Sequence, residues 1–394
     1  MSARVSVSVT SNSTPRPAPA VVSGRLFIIG RTSDGPSVDA DNVPTRVTGM
    51  AEFRATFGDR VADVSDVTYD VLRTFFSEGG AESYFVRAIG PNATQYDDDY
   101  AAADFEELLG KFTADLGPGA VIITGEDHGS VGEHIANHAA ATNRIGIVTS
   151  PSDVTVGDIV STSAVIDGYD HSDRLVLAWP NVVIPTLSGP VSVEPSGFVA
   201  GVRARAHGLV GPWQSPLQME YGSARFVTGV SVATTDAEFA TLWNGDVSPI
   251  RVVSGKVRLY GYKTVATTAG DTSGNLQGAQ FRDLTNVIAY QAGNIAEKYV
   301  GRTVDGRGLQ LAAFNGEITG MLSVYASAGA LFAQIADDGT EVDPGYVVDT
   351  SSNVNSAAAL AAGTLSAEVG IRLSPSAEFV NISITANDAG VAGL

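Results

Sequence analysis

The alternation of apolar and polar positions changes character several times along this chain, and each change marks an element. Arg4-Val5-Ser6-Val7-Ser8-Val9-Thr10 alternates with period two, the pattern of a strand with one face to bury. Thr14-Pro15-Arg16-Pro17-Ala18-Pro19 then places proline at every second position, which forbids helix and favours extended polyproline-II geometry. Pro15, Pro17 and Pro19 therefore read as a stiff tether. At roughly 3.3 Å per residue, the segment 1–20 reaches about 65 Å, far enough for its strand to dock on another molecule.

From Val21 the periods switch repeatedly between strand and helix. Arg25–Gly30 reads as a buried strand ending in a glycine turn, Thr48 as the N-cap of a helix through Phe57, and Thr68–Phe76 as a second helix stopped by Gly79-Gly80. Ser83–Ile89 returns as a strand, and the acidic stretch 91–100 reads as a loop. Helix 102–113, strand Ala120–Thr124, helix 131–142, strand Arg144–Thr149 and strand Arg174–Ala178 continue the alternation, which predicts an α/β fold with a parallel sheet and crossover helices. The Gly/Pro-rich region 190–255 carries one helical pattern, Ser196–Arg205, and Lys256–Lys263 reads as a strand. Thr264–Gln280 is polar and marks a domain boundary. Two amphipathic helices follow, one with Phe281, Leu284, Val287, Ile288, Ile295 and Tyr299 on a single face, the next with Leu311, Phe314, Ile318, Leu322 and Tyr325. Ala367–Leu373 and Glu378–Thr385 read as strands. In the latter Val380, Ile382 and Ile384 alternate with polar residues, so the segments near both ends share one pattern.

Composition narrows the function. Of 394 residues, 44% are hydrophobic and 17% charged, enough apolar material for two or three cores. A net charge of −19 argues against nucleic acid or an anionic membrane as partner. The absence of cysteine excludes disulfides, thiolate metal sites and a cysteine nucleophile. Neither a membrane span nor a signal peptide is expected, since no run approaches 18 apolar residues and Met1–Ser13 has no apolar core.

Candidate chemistry is sparse. Gly30–Ser37 has the spacing of a phosphate loop, but Pro36 stands where lysine must hold phosphate, so a structural turn is the reading. His134 and His138 share a helix face and could chelate a metal, yet Glu133 precedes the first histidine instead of following it; two solvated surface histidines fit better. No nucleophile elbow occurs, and no Ser/His/Asp spacing singles out a triad. No catalytic residue, cofactor site or metal site is assigned.

The run Val193-Glu194-Pro195-Ser196-Gly197-Phe198-Val199-Ala200-Gly201-Val202-Arg203-Ala204-Arg205, with Gly211-Pro212-Trp213-Gln214-Ser215-Pro216 after it, resembles the signature of contractile tail sheath proteins, found in phage tails, R-type pyocins and related injection systems. Phe27–Gly30 through Gly35-Pro36 to Phe53 and Phe57-Gly58, Phe75-Phe76 through Gly79-Gly80 to Tyr84–Arg87, Phe281–Leu284 through Ile295–Glu297, and Ala367–Ile371 with Pro375–Phe379 resemble other blocks of that family. Glu194 departs from that pattern by replacing a proline, Leu217-Gln218 by standing where the family usually has Ala-Asn, and Tyr299–Arg302 by standing where it commonly has Trp-Val-Phe-Glu-Pro-Asn. The resemblance implies a non-enzymatic structural subunit of a virion tail sheath, assembled in the bacterial cytoplasm. It implies an N-terminal strand-exchange arm (1–20), a subtilisin-like α/β domain without a protease triad (21–270), a smaller tube-facing α+β domain (271–375) and a C-terminal arm (376–394). Val5, Val7 and Val9, and Val380, Ile382 and Ile384, would add strands to neighbouring copies, with Val369, Ile371 and Leu373 on the accepting strand. The implied partners are further copies in stacked six-fold rings, an inner tube protein, and baseplate and tail terminator proteins. An acidic α/β hydrolase and another virion component, such as a capsid or tube protein, remain the alternatives.

Overall fold

Strands without polar positions must be buried on both faces, and a computed structural model places them so. It describes residues 22–32, 34–36, 44–61, 65–88, 102–150, 154–266, 277–304 and 306–377. The expected strands Arg4–Thr10 and Glu378–Thr385, the tether 14–19 and the loop 91–100 lie outside these residues.

In chain order the body starts with β1 (Leu26–Gly30), β2 (Thr45–Val47), α1 (Met50–Phe57), α2 (Ser65–Glu78) and β3 (Ser83–Arg87). It continues through α3 (Ala102–Gly110), β4 (Ala120–Ile123), α4 (His128–Thr142), β5 (Ile145–Val148), α5 (Val156–Asp167) and β6 (Leu175–Trp179). A hairpin of β7 (Val182–Thr186) and β8 (Gly189–Val193) leads into α6 (Ser196–Leu209), the single turn α7 (Met219–Gly222) and β9 (Gly229–Val230). The helix α8 (Asp236–Asn244) and the hairpin β10 (Ser248–Val253) and β11 (Lys256–Leu259) close this part. After it come α9 (Ala279–Glu297), α10 (Leu309–Ser327), β12 (Gln334–Ile335), β13 (Glu341–Asp343), β14 (Tyr346–Asp349), α11 (Ala357–Ala361) and β15 (Glu368–Ile371).

The main sheet has eight strands in the order β11-β10-β6-β5-β4-β1-β3-β2, parallel from β3 to β10, with antiparallel β2 and β11 at its edges. Alternation along each strand sorts the core into two layers. Leu26, Ile28, Phe85, Ile122 and Val176 meet Val71 and Phe75 of α2 and Phe198 and Val202 of α6. Phe27, Ile29, Val86, Val121 and Leu177 meet Leu108, Ile135 and Ile159 of α3, α4 and α5 on the other face. Gly197 and Gly201 let α6 approach α2 closely, because a Cβ at these positions would stand 2.3 Å from Val71 O and 2.7 Å from Glu78 Cβ. A third core joins Leu284, Val287, Phe314, Ile318, Leu322 and Tyr325 of α9 and α10, the apolar faces expected from their periodicity. Among the described residues, no helix is long and apolar enough to cross a membrane.

Several boundaries differ from the sequence expectation. The first helix is capped at Gly49, not Thr48; the Thr48 hydroxyl and N–H both donate to Glu52, at 2.9 and 2.8 Å. The region 190–255 holds α7, α8, β9 and β10 besides α6, and α5 fills the stretch before β6. Both α5 and α8 open with complete capping boxes, Thr155 with Asp158 and Thr235 with Glu238.

Candidate inter-subunit site

Among the described residues, the two-stranded sheet beyond α10 has an open side. β14 and β15 pair antiparallel, with Tyr346 opposite Ile371 and Val348 opposite Val369. Ile371 and Leu373, with Tyr346 and Val348, pack onto the third core, while Val369 on the same strand is 37% exposed. Arg372 donates its N–H to Gly345 O at 2.7 Å, and its carbonyl accepts from Phe332 N at 2.8 Å. Backbone polar groups alternate sides along a strand, so those of Gly370 and Arg372 face β14, and those of Val369, Ile371 and Leu373 face away. Among the described residues, β15 has no strand on that outer side. The far edge of β14 is blunted, since Asn315 Nδ2 on α10 donates to Val348 O at 3.3 Å. Of the three residues singled out in the sequence as acceptors, Val369 and Ile371 lie on β15 and Leu373 two residues past its end, bridged to Leu331, and their backbone groups form one outward row.

The helix α9, which helps build the core under this sheet, is joined to the body through a buried ionic cluster. On α6 every side chain from Ser196 to His207 is buried, including Arg203, Arg205 and His207. Arg203 grips Asp283 of α9 with Nη2 at 2.6 Å and Nε at 3.1 Å, and the Tyr262 hydroxyl donates to the same carboxylate at 2.7 Å. Burial alone would raise the Asp283 pKa, but the charge of Arg203 holds it well below the usual carboxylate range. Arg205 reaches Glu78 of α2, whose carboxylate accepts from the backbone N–H groups of Arg225, Phe226 and Val227 at 2.9–3.1 Å. The Val202–Arg205 run therefore ties α6 to both α2 and α9. Sequence reading placed these arginines in a motif and gave them no partner.

One constellation has the makeup of a hydrolase site. Ser23 Oγ lies 3.1 Å from His207 Nδ1, and His207 Nε2 lies 3.4 Å from Asp283 Oδ2. Its chemistry is wrong for acyl transfer. The Asp283 charge is already matched by Arg203, and both the His207 and Asp283 side chains are 1% exposed. Burial, and then Arg203, lower the His207 pKa, so the imidazolium that a triad must stabilise is disfavoured here. The arrangement works as a buried structural chain.

The other candidates resolve similarly. After Gly30, the Arg87 guanidinium donates to Thr32 O at 2.9 and 3.0 Å and to Gly35 O at 2.8 Å. His134 hydrogen-bonds Glu106 at 3.0 Å. His138 is not the solvated residue expected from sequence: its ring packs against Phe112 and meets Arg144 at 3.1 Å, and burial lowers its pKa to about 3. Among the described residues, no group of three or more His, Asp or Glu side chains is placed to hold a metal. Glu194 accepts from Ser196 Oγ at 2.6 Å and Gly125 N at 3.1 Å, and burial, with Glu126 nearby, raises its pKa to about 7.

Comparison with known proteins places this architecture. No family model and no curated protein matches the sequence. Solved structures do match in fold. A chain of the anti-feeding prophage baseplate superimposes with a TM-score of 0.72 at 19% identity, over 98% of this chain and 100% of that one. The sheath complex of an extracellular contractile injection system, in its contracted state, gives a TM-score of 0.69 at 13% identity over 98% of both chains. The sheath tail protein of Listeria innocua gives 0.57 at 11% identity over 85% of this chain and 90% of that one. The chain has the fold of contractile sheath proteins along nearly its whole length.

Proposed function

We propose that this chain is the structural subunit of a contractile tail sheath, polymerising as stacked six-fold rings around an inner tube and shortening to drive that tube through a cell envelope. The observation that carries the reading is the full-length fold match to sheath chains, combined with the outward edge of β15. In this reading residues 21–270 form a subtilisin-like body without a protease triad, 271–375 the tube-facing domain, and 1–20 and 376–394 the arms. Val5, Val7 and Val9 of one neighbour and Val380, Ile382 and Ile384 of another extend the β14–β15 sheet past Val369, Ile371 and Leu373. Strand addition converts an edge prone to aggregation into a specific joint.

Contraction then needs no nucleotide. The two lattices differ in how much surface the bodies bury against each other, and that difference is the driving free energy. The arm ladders stay paired while bodies rotate, and the tether Pro15–Pro19 limits how far each travels. Partners in this reading are the tube, the baseplate and a terminator, within a virion or injection particle assembled in the bacterial cytoplasm. A hydrolase reading has the Ser23–His207 contact in its favour, and the matched charge on Asp283 weighs against it.

Negative-stain microscopy of the purified chain tests the proposal. Hollow striated tubes are expected. A chain that remains monomeric across protein concentration and salt overturns the sheath reading. Deleting residues 1–13 should leave a folded monomer that forms no tubes; tubes from that variant would overturn arm exchange alone.

A further inference from the structure

Between the body and the C-terminal helices lies a cavity of about 730 Å³. Its walls come from several parts of the chain: Val22 to Gly24, the turn Gly79 to Glu82 after α2, the end of α6 with the loop to Trp213, Arg225, and Val287 and Tyr325 of α9 and α10. Trp213 and Tyr325 meet edge to face at 5.9 Å between ring centroids, giving an aromatic wall. Leu209 at 61% and Val210 at 39% exposure stand at this cavity as uncovered apolar side chains. Of the polar groups in the wall, Arg205 is committed to Glu78 and to the carbonyls of Tyr221 and Ser223, Glu82 to Arg25 and Arg46, and His207 to Ser23, so these offer an incoming chain little polar demand; Arg225 is the other cation there.

We propose that this cavity seats the proline-rich segment Thr14–Ala20 of the same chain. Three observations favour this occupant. Val22 is itself part of the wall, and Pro19 lies three residues before it, within about 10 Å of chain reach. Prolines at 15, 17 and 19 favour the polyproline-II form, which loses little entropy on docking and is the form that aromatic-lined grooves recognise. Proline also brings no N–H to an apolar wall, so burying it leaves no donor unpaired. The docked segment would cover Leu209 and Val210 and fix the point from which residues 1–13 leave the body. That last consequence rests on the arm-exchange reading; the docking does not.

The full chain contains no cysteine, so engineered thiols report without background. Pro17→Cys is combined with Leu209→Cys, with Val210→Cys as a second rim position, and with Leu187→Cys on the remote β7–β8 hairpin as control. Thermal unfolding verifies that each variant is folded. Under mild oxidation of dilute protein, the two rim pairs should close an intramolecular disulfide in most molecules, at least tenfold faster than the Leu187 pair. Adding Trp213→Ala should remove that advantage. Equal rates for rim and control pairs, or no closure at the rim, overturn the docking. Disulfide-linked dimers on mixing single-cysteine Pro17→Cys and Leu209→Cys chains, without the intramolecular product, would assign the cavity to a neighbouring copy and overturn the same-chain occupant.

Discussion

Asp283 sits at 1% exposure with Arg203 at 2%, a pair that has left water on both sides. Removing either partner strands a buried charge, which costs about 3–5 kcal/mol, whereas replacing both with apolar residues of similar volume is far milder. Asp283→Ala and Arg203→Leu should each lower stability to urea by that order, and the double variant Arg203→Leu/Asp283→Leu should recover most of it. Glu194 behaves differently, because its folded pKa lies above the ordinary carboxyl value of 4.5, at about 7. The folded state therefore binds more protons than the unfolded chain between these values. Its contribution is fully present below about pH 4.5 and lost as pH rises through about 7. Glu194→Gln keeps an acceptor for Gly125 N–H and removes the titration, so its melting temperature should fall less between pH 5 and pH 8 than that of the natural chain. Neither effect was legible in the sequence. Arg203 and Asp283 are 80 positions apart, and neither that pairing, which lowers the Asp283 pKa, nor the burial that raises the Glu194 pKa is a property of composition.

At the scale of elements, the strength of the periodic signal decided what could be read in advance. The strands β1, β3, β4, β5 and β6 of the main sheet and the amphipathic α9 and α10 were legible because their pattern follows from one or two buried faces, whereas β2 and β10 were not. Helix α8 was missed in a region read for glycine and proline content and α5 in a stretch assigned no element, although Thr235-x-x-Glu238 and Thr155-x-x-Asp158 were present as start signals. The strand β15 was legible as a strand, but its open side was not, since that depends on β14 and Leu331 lying on the other. Backbone direction on β15 yields a paired prediction. Val369→Pro removes a donor that faces outward and should abolish tube formation with little change in melting temperature. Gly370→Pro removes a group that faces β14 and should lower the melting temperature as well. Equal assembly by Val369→Pro and the natural chain in electron micrographs would exclude this edge as an acceptor.

For the whole molecule, a charge of −19 per subunit opposes close packing of copies. Screening acts over about 10 Å at 0.1 M salt and about 3 Å at 1 M, so light scattering should show assembly accelerating with salt in that range. Slower assembly at high salt would mean that attractive ion pairs dominate the contacts. The sequence by itself determined the alternation of strands and helices, the absence of thiol chemistry, the acidic surface and the period-two segments near both ends, because these depend on residue identity and short-range spacing. Tertiary structure alone decided that the arginines of α6 grip α2 and α9, that His138 is packed instead of solvated, that Ser23, His207 and Asp283 meet without forming a usable triad, and that β15 has one edge unpaired among the described residues. Each of these turns on which distant segments become neighbours and how much water they exclude, and no local pattern encodes either.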